Sequence, residues 1–216
     1  MNSIKINEFN KIRSMLPDVF TKDDIAEIIH DKKAPKKYIE RLATQGILTR
    51  IKLNTYTFTE NADLLAIANG LVDYSYLSFE SALAHYGMIP ERVSLIMSVT
   101  ASDRPREYKT PIGQFVYLKQ NPNLFSAGMS SEIRPSGRRV LVASREKAVC
   151  DTLYRSKMPF SKMSINEFAD FLFNGLRIEE EAIKQLRIMQ ISSFIPYYRT
   201  KGPQLLSELL ERSDLW

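Results

Sequence analysis

The sequence predicts an α+β protein in which an N-terminal winged helix-turn-helix precedes a mixed α/β domain that ends in a helical tail. Apolar residues recur at helical spacing over the first 46 residues and then alternate as in strands. Several β-rich runs follow beyond Glu60, and the last third of the chain reads as helices. A length of 216 residues suits two domains. The predicted segments are a winged helix-turn-helix domain at 1–60 and a second domain at 61–216, which includes a connecting helix at 62–71 and the tail at 164–216.

The first elements of the N-terminal domain are two helices. One is predicted at about residues 4–15. Thr21 is placed to cap the other, and Asp23 and Asp24 lie in its first turn, where acidic residues complement the helix dipole. Its apolar face consists of Ile25, Ile28 and Ile29.

A third helix and two strands complete this domain. Pro35 suits the first turn of a helix, because its missing N–H needs no partner there. Ile39 and Leu42 share a face, and Gly46 is placed to end the helix in a left-handed conformation. Residues 47–52 and 56–59 then alternate as strands around a short turn.

Positive charge is concentrated in this region. Residues 31–55 contain seven cationic and two anionic side chains, so their net charge of +5 equals that of the whole chain. The N-terminal part of the second helix of a helix-turn-helix enters the major groove, and cationic residues contact phosphates. A merely solvated lysine-rich helix is the alternative. The predicted DNA-binding residues are Lys32, Lys33, Lys36, Lys37, Tyr38, Arg41, Arg50 and Lys52.

The second domain shows helix caps and three β-rich runs. Ser78 is placed to cap a short helix that Gly87 ends, and strands are predicted at 92–100, 113–119 and 139–143. The segments between these strands, 101–111 and 120–138, are predicted to be a polar turn and a loop. Ser144 is placed to cap the next helix. In the tail, Ser164 and Glu167 form a capping-box pattern, and a leucine stripe marks the last helix.

A second basic set flanks the strand at 139–143. The helix start at Ser144 offers free N–H groups to an anion, and the neighbouring cations are predicted to converge on one anionic ligand or nucleic acid. The alternative is a solvated loop and helix start. This predicted basic surface of the second domain consists of Arg138, Arg139, Arg145 and Lys147.

The sequence contains no recognisable catalytic set, so an enzyme, a bound metal and a cofactor are not expected. Asp103 followed by Glu107 and Lys109 has the residue types of a metal-dependent nuclease, but the spacing is tight and chance explains it. Cys150 is predicted to be a buried structural cysteine. His30 and His85 are the only histidines, and neither is near Cys150 in sequence.

Cysteine usage and hydropathy bear on the cellular location. A single cysteine excludes an intramolecular disulfide and fits the reducing cytosol, so a cytoplasmic protein is expected. No apolar run reaches the roughly 18 residues that a membrane-spanning helix needs, so no membrane partner is expected.

Three segments resemble the AbiEi-type antitoxins of bacterial type IV toxin–antitoxin and abortive-infection systems. They are GILTRI at 46–51 leading to Tyr56, YLSFESALAHYGMIPE at 76–91, and VLVASREKAVCDTLY at 140–154. The second is the most specific. The sequence departs from the family at the wing, where relatives often have a glycine just before the tyrosine and this chain has Asn54 and Thr55. Asparagine tolerates a left-handed conformation, so a turn remains possible there.

The resemblance implies a repressor and antitoxin that acts as a monomer or a weak dimer on DNA. The winged helix would bind repeats in the promoter of its own operon, and the second domain would counter a nucleotidyltransferase-like toxin without forming a stable complex with it. Direct binding of the toxin is one alternative. A transcription regulator without a toxin partner is another, and an enzyme acting on nucleic acid is the least favoured.

Overall fold

The computed structural model describes residues 10–29, 35–60, 62–91, 93–102, 104–134 and 137–212. Within these residues the fold is mixed α+β with two β-sheets, as the sequence predicts. Each sheet has its own layer of helices and its own cluster of buried apolar side chains. No helix in the described part of the chain is long and apolar enough to cross a membrane.

The N-terminal unit combines three helices with a small antiparallel sheet of order β1-β3-β2. Helix α1 is described over residues 10–15. The elements that follow are β1 (Phe20–Thr21), α2 (Lys22–Ile29), α3 (Pro35–Thr44), β2 (Leu48–Lys52) and β3 (Thr55–Phe58). The helices and the sheet enclose a core formed by Ile12, Leu16, Phe20, Ile25, Ile39, Leu42 and Leu48.

The predicted local signals act as expected in this unit. The backbone N–H of Thr21 donates to Asp24, and the Asp24 N–H donates back to the Thr21 hydroxyl, so the start of α2 is capped from both sides. Gly46 ends α3 with φ 69°. Asn54 turns the β2–β3 hairpin with φ 55°, which confirms that asparagine can replace glycine at this position.

The second unit is built on a six-stranded mixed sheet of order β6-β7-β5-β4-β9-β8. The β4–β9 and β5–β7 pairs are parallel and the other pairs are antiparallel. In chain order its elements are α4 (Leu64–Leu71), β4 (Ser75–Leu77), α5 (Phe79–His85), β5 (Leu95–Thr100), β6 (Arg106–Thr110), β7 (Gly113–Lys119), α6 (Pro122–Phe125), β8 (Met129–Ile133), β9 (Arg139–Ala143) and α7 (Arg145–Ser156).

Two segments predicted as irregular are strands instead. The polar turn predicted at 101–111 contains β6, and the loop predicted at 120–138 contains α6 and β8. The strands β6 and β8 are the two edges of the sheet, and most of their side chains are exposed or half-buried. An edge strand needs no continuous apolar face, so the alternation on which strand prediction depends is weak there.

The tail packs against α7 and shares the larger core rather than forming a separate unit. The capping box predicted at Ser164 and Glu167 is present and opens the first tail helix. A 3₁₀ turn (Phe160–Lys162) precedes the tail, which consists of α8 (Ile165–Asp170) with a π-helical continuation (Phe171–Gly175), α9 (Glu180–Lys184), α10 (Ile188–Phe194), a 3₁₀ turn (Ile195–Tyr197) and α11 (Gly202–Glu211).

The two units are in direct contact. Ile51 of β2 belongs to the core of the six-stranded sheet, and Val19 packs against that core. A Cβ atom at Gly70 of α4 would lie only 2.9 Å from the Val19 side chain, so glycine permits this close approach. Apolar contacts therefore cross the predicted boundary after residue 60.

Candidate nucleic-acid interface

The outer face of α3 is cationic. Ile39 and Leu42 point into the N-terminal core, and the residues on the opposite side of the helix are exposed. This side carries Lys36, Lys37 and Arg41. The apolar inner face thus fixes the orientation of the helix, and this orientation directs three positive charges to solvent.

A cleft of about 430 Å³ separates α3 from the β2–β3 hairpin. Lys22, Lys36 and Arg50 line it, together with one acidic residue, Glu40. The Lys36 ammonium lies 4.0 Å from the Glu40 carboxylate, and both side chains are well exposed. A solvent-exposed pair at this distance is weak, so Lys36 can exchange this contact for a phosphate at little cost.

The hairpin and α3 also present aromatic and apolar groups. The Arg41 guanidinium carbon lies 5.1 Å from the centroid of the Tyr38 ring, a cation–π contact that holds the arginine against α3. At the tip of the hairpin, the Leu53 side chain is 74% exposed. A single exposed apolar side chain is common on protein surfaces, so Leu53 marks the tip of the hairpin but does not by itself identify an interaction surface.

Lys52, which was predicted to contact DNA, does not line the cleft. Its ammonium donates a hydrogen bond of 3.0 Å to the carbonyl of Leu71 at the end of α4, and it lies 5.6 Å from the centroid of the Tyr108 ring on β6. Lys52 therefore joins the hairpin to the six-stranded sheet and is withdrawn from the set of DNA contacts. Two further predicted contacts, Lys32 and Lys33, lie outside the described residues.

Arg138 is likewise engaged between the two units rather than on an open surface. Its guanidinium donates to the carbonyl of Leu16, which follows α1. Nearby, Arg134 donates to Asp63 over 2.7 Å, and Asp63 also caps α4. These groups line a cavity of about 600 Å³ at the junction. Burial raises the pKa of the Asp18 carboxyl in this cavity, although Arg138 opposes the shift.

Lys147 contradicts the predicted basic surface most clearly, because its side chain is 0% exposed. The ammonium lies 3.4 Å from Asp151 one turn along α7 and within 6.0 Å of the ring centroids of Tyr76, Phe194 and Tyr198. It is a core residue that an aromatic cage and a carboxylate stabilise.

Asp151 is the centre of this buried polar cluster. Besides Lys147, four side chains donate hydrogen bonds of 2.6–3.2 Å to its carboxylate. Burial and the Asp151 charge raise the pKa of Tyr76 and Tyr198 well above the ordinary value, so both remain neutral donors. The four donors come from β4, the residue that follows it, the segment after β7 and the tail, and they are Tyr76, Ser78, Gln120 and Tyr198.

The predictions for two residues of this region, Ser78 and Cys150, had different outcomes. Ser78 was predicted to cap α5, but its hydroxyl makes no cap bond and donates instead to Asp151 over 2.7 Å. Cys150 is buried as predicted, and burial raises the pKa of its thiol, so the nucleophilic thiolate is disfavoured.

Arg139 and Arg145 do reach the surface, but they do not converge with Arg138 and Lys147. Arg139 is exposed and lies 3.5 Å from the Ser131 hydroxyl. Arg145 is half-buried, donates to Gln185 over 3.0 Å and packs over the Tyr86 ring. The four predicted residues are thus divided among the unit junction, the core and the open surface.

A half-buried polar cluster adjoins Arg145. His85 Nε2 lies 2.7 Å from the Glu132 carboxylate, and the Tyr86 hydroxyl donates both to Glu132 and to the Ala143 carbonyl. Burial raises the pKa of Tyr86 to about 12. His85 at the end of α5 is therefore linked to β8 through Glu132, a partner that the sequence did not identify.

Among the described residues, no group of three or more histidine, cysteine, aspartate or glutamate side chains could hold a metal ion. The Lys109 ammonium lies 3.5 Å from the Glu107 carboxylate, which also accepts a hydrogen bond from Gln114. Both side chains are largely exposed on the edge strand. Asp103 and His30 lie outside the described residues.

Comparisons with known proteins give a fold and no family. No protein-family model matches the chain, and no curated protein matches it. Among solved structures, it is similar to the crystal structure of the RV2827C protein from Mycobacterium tuberculosis, with a TM-score of 0.56 and 15% sequence identity. The alignment covers 95% of this chain and 75% of that chain. At this identity the likeness shows a shared fold alone.

Proposed function

We propose that the chain is a DNA-binding protein whose N-terminal unit is a winged helix, with α3 as the recognition helix and the β2–β3 hairpin as the wing. The observation that carries this proposal is the cationic outer face of α3 beside a cleft whose other wall is the hairpin. The order of three helices and a three-stranded antiparallel sheet supports it.

The geometry suits duplex DNA in particular. An α-helix fits the major groove, and its first turns reach the base edges. Lys36 and Lys37 occupy those turns of α3, and Arg41 follows one turn later. Arg50 and Lys22 on the other side of the cleft are positioned for phosphates of the backbone. The exposed Leu53 at the wing tip suits the minor groove, where apolar side chains contact base steps.

The role in a toxin–antitoxin pair is proposed from the resemblance to AbiEi-type antitoxins. The two resembling segments of the second domain form β4–α5 and β9–α7. These elements pack together, since α5 contacts α7 and β4 pairs with β9. The segments therefore support a shared domain architecture more directly than a shared binding site. In this proposal, the chain represses its own operon in the cytoplasm and counters a nucleotidyltransferase-like toxin through the second domain.

Salt-dependent DNA binding tests the proposal. The full-length protein is titrated into a labelled duplex from its own upstream region at 50–200 mM salt, and a shuffled duplex serves as the control. If all five exposed cations of the cleft and α3 contact phosphates, the slope of log K against log salt is about −4.5, and affinity falls about 500-fold over this range. Absence of binding at 50 mM salt would contradict the proposal.

A further inference from the structure

We propose that the edge strand β6 of the six-stranded sheet forms a second contact with the DNA backbone beside the wing, through Arg106. This inference rests on the proposed winged-helix function. It assigns a part of the DNA-binding surface to the edge of the second unit that lies beside the wing.

The wing and β6 are in contact close to the wing tip. Lys52 immediately precedes Leu53 at the tip, and its ammonium lies 5.6 Å from the ring centroid of Tyr108 on β6. The same ammonium donates to the carbonyl of Leu71 at the C-terminal end of α4. Strand β2 lies beside β6 over several residues. Strand β6 therefore lies beside the wing, near the part of the wing that the proposed function places against DNA.

The sheet register places Arg106 on the side of β6 that faces the wing. In the antiparallel pair with β7, Tyr108 is opposite Phe115 and Arg106 is opposite Tyr117. Side chains two residues apart on a strand share a face and lie about 7 Å apart along it. Arg106 thus lies on the same face of the sheet as Tyr108, which contacts Lys52.

The position of Arg106 along the strand also brings it towards the wing tip. A Cβ atom at Gly113 would lie 3.8 Å from Leu64 at the start of α4, whereas the Tyr117 hydroxyl donates to the carbonyl of Ala68, one turn further along that helix. Because Arg106 is opposite Tyr117, it lies towards the C-terminal end of α4. This is the end to which Lys52 is bound.

The chemistry of Arg106 leaves it free to bind a phosphate. Its side chain is exposed, and among the described residues its only polar partner is the Ser102 hydroxyl at 3.5 Å. A guanidinium without a carboxylate partner presents N–H donors that match two phosphate oxygens. Lys109 on the same strand differs in both respects, because it points to the opposite face and pairs with Glu107. Lys109 is therefore a matched control for charge.

The test compares Arg106→Ala with Lys109→Ala in the full-length protein, by titration of the upstream duplex at several salt concentrations. Losing one phosphate contact lowers the magnitude of the slope of log K against log salt by about 0.9. If the variant and the wild type bind equally at 1 M salt, the variant therefore binds about eightfold more weakly at 0.1 M salt. We expect this change for Arg106→Ala, and we expect wild-type slope and affinity for Lys109→Ala. Thermal unfolding of both variants should match the wild type, because the two side chains are exposed.

Two results would overturn the inference while leaving the proposed function intact. In one, Arg106→Ala binds like the wild type although substitution of the α3 cations abolishes binding. In the other, the two single variants lose affinity equally, which reflects net charge rather than a contact by β6. Failure of the wild-type protein to bind the duplex would instead overturn the proposed function, and with it this inference.

Discussion

Replacing Asp151 by asparagine tests whether the buried polar cluster holds the tail on the sheet. The substitution keeps the size of the side chain but removes the negative charge next to the Lys147 ammonium. Both side chains are 0% exposed, and Asp151 also accepts hydrogen bonds from four other side chains. Removing one partner of a buried ion pair costs about 3–5 kcal/mol, because the other charge remains without compensation. For a chain of this size, the expected fall in Tm is about 6–20 °C.

A double-mutant cycle separates the charge from the packing. Lys147→Met keeps an apolar side chain inside the aromatic cage, and it leaves Asp151 with four neutral donors, so its cost should be smaller than that of Asp151→Asn. The double variant has no charge left in this cluster and should be more stable than the sum of the single effects by about 0.5–3 kcal/mol. Urea unfolding measures all four proteins. A loss below about 1 kcal/mol for Asp151→Asn, or additive effects in the cycle, would refute this reasoning.

Two further predictions concern titration and the surface of the second domain. Burial raises the pKa of the Glu146 carboxyl, but hydrogen bonds from Arg187 and backbone groups outweigh it, so the pKa lies below its ordinary value of 4.5. Folding therefore favours the ionised form, and the resulting stability is present above this value and lost as the pH falls. Arg187→Ala should reduce the difference in urea stability between pH 6 and pH 3.5, and an unchanged difference would be evidence against this pair. Arg139 and Arg145 are the two members of the predicted basic set that reach the surface, so if the second domain counters a toxin through them, reversing both to glutamate should abolish rescue from the cognate toxin and leave promoter repression intact; unimpaired rescue would exclude a role for them.

The elements that the sequence predicts best are those with local signals. The capping box at Ser164 and the left-handed conformations of Gly46 and Asn54 depend on residues within a few positions along the chain. The sequence therefore predicts them without knowledge of the tertiary structure. The edge strands β6 and β8 were missed for the opposite reason. Their pairing with β7 and β9 defines them, and their own side chains carry little apolar alternation.

In the candidate site, too, features set by local sequence were predicted and features set by tertiary contacts were not. On α3, an apolar inner face predicts which cations are exposed, because both faces belong to one helix. For Lys52, Arg138 and Lys147, the partners come from Leu71, Leu16 and residues as distant as Tyr198. Charge alone does not distinguish a lysine that binds DNA from one that is buried against aromatic rings. Only the tertiary contacts remove these three residues from the predicted binding surfaces.

The central claim is that α3 reads DNA, and a charge-matched comparison of two triple variants tests it. The first variant replaces the exposed cations of α3, Lys36, Lys37 and Arg41, with alanine, which preserves helix propensity. The control variant replaces three exposed cations in and just before the tail, Lys162, Arg199 and Lys201, with alanine and so removes the same net charge.

The affinity of both variants for the upstream duplex at 0.1 M salt is the deciding measurement. Loss of three phosphate contacts is expected to reduce the affinity of the α3 variant about 500-fold relative to the wild type, and the control variant should bind as the wild type does. Equal affinities of the α3 variant and the control variant, with both proteins folded, would contradict the assignment of α3 as the recognition helix.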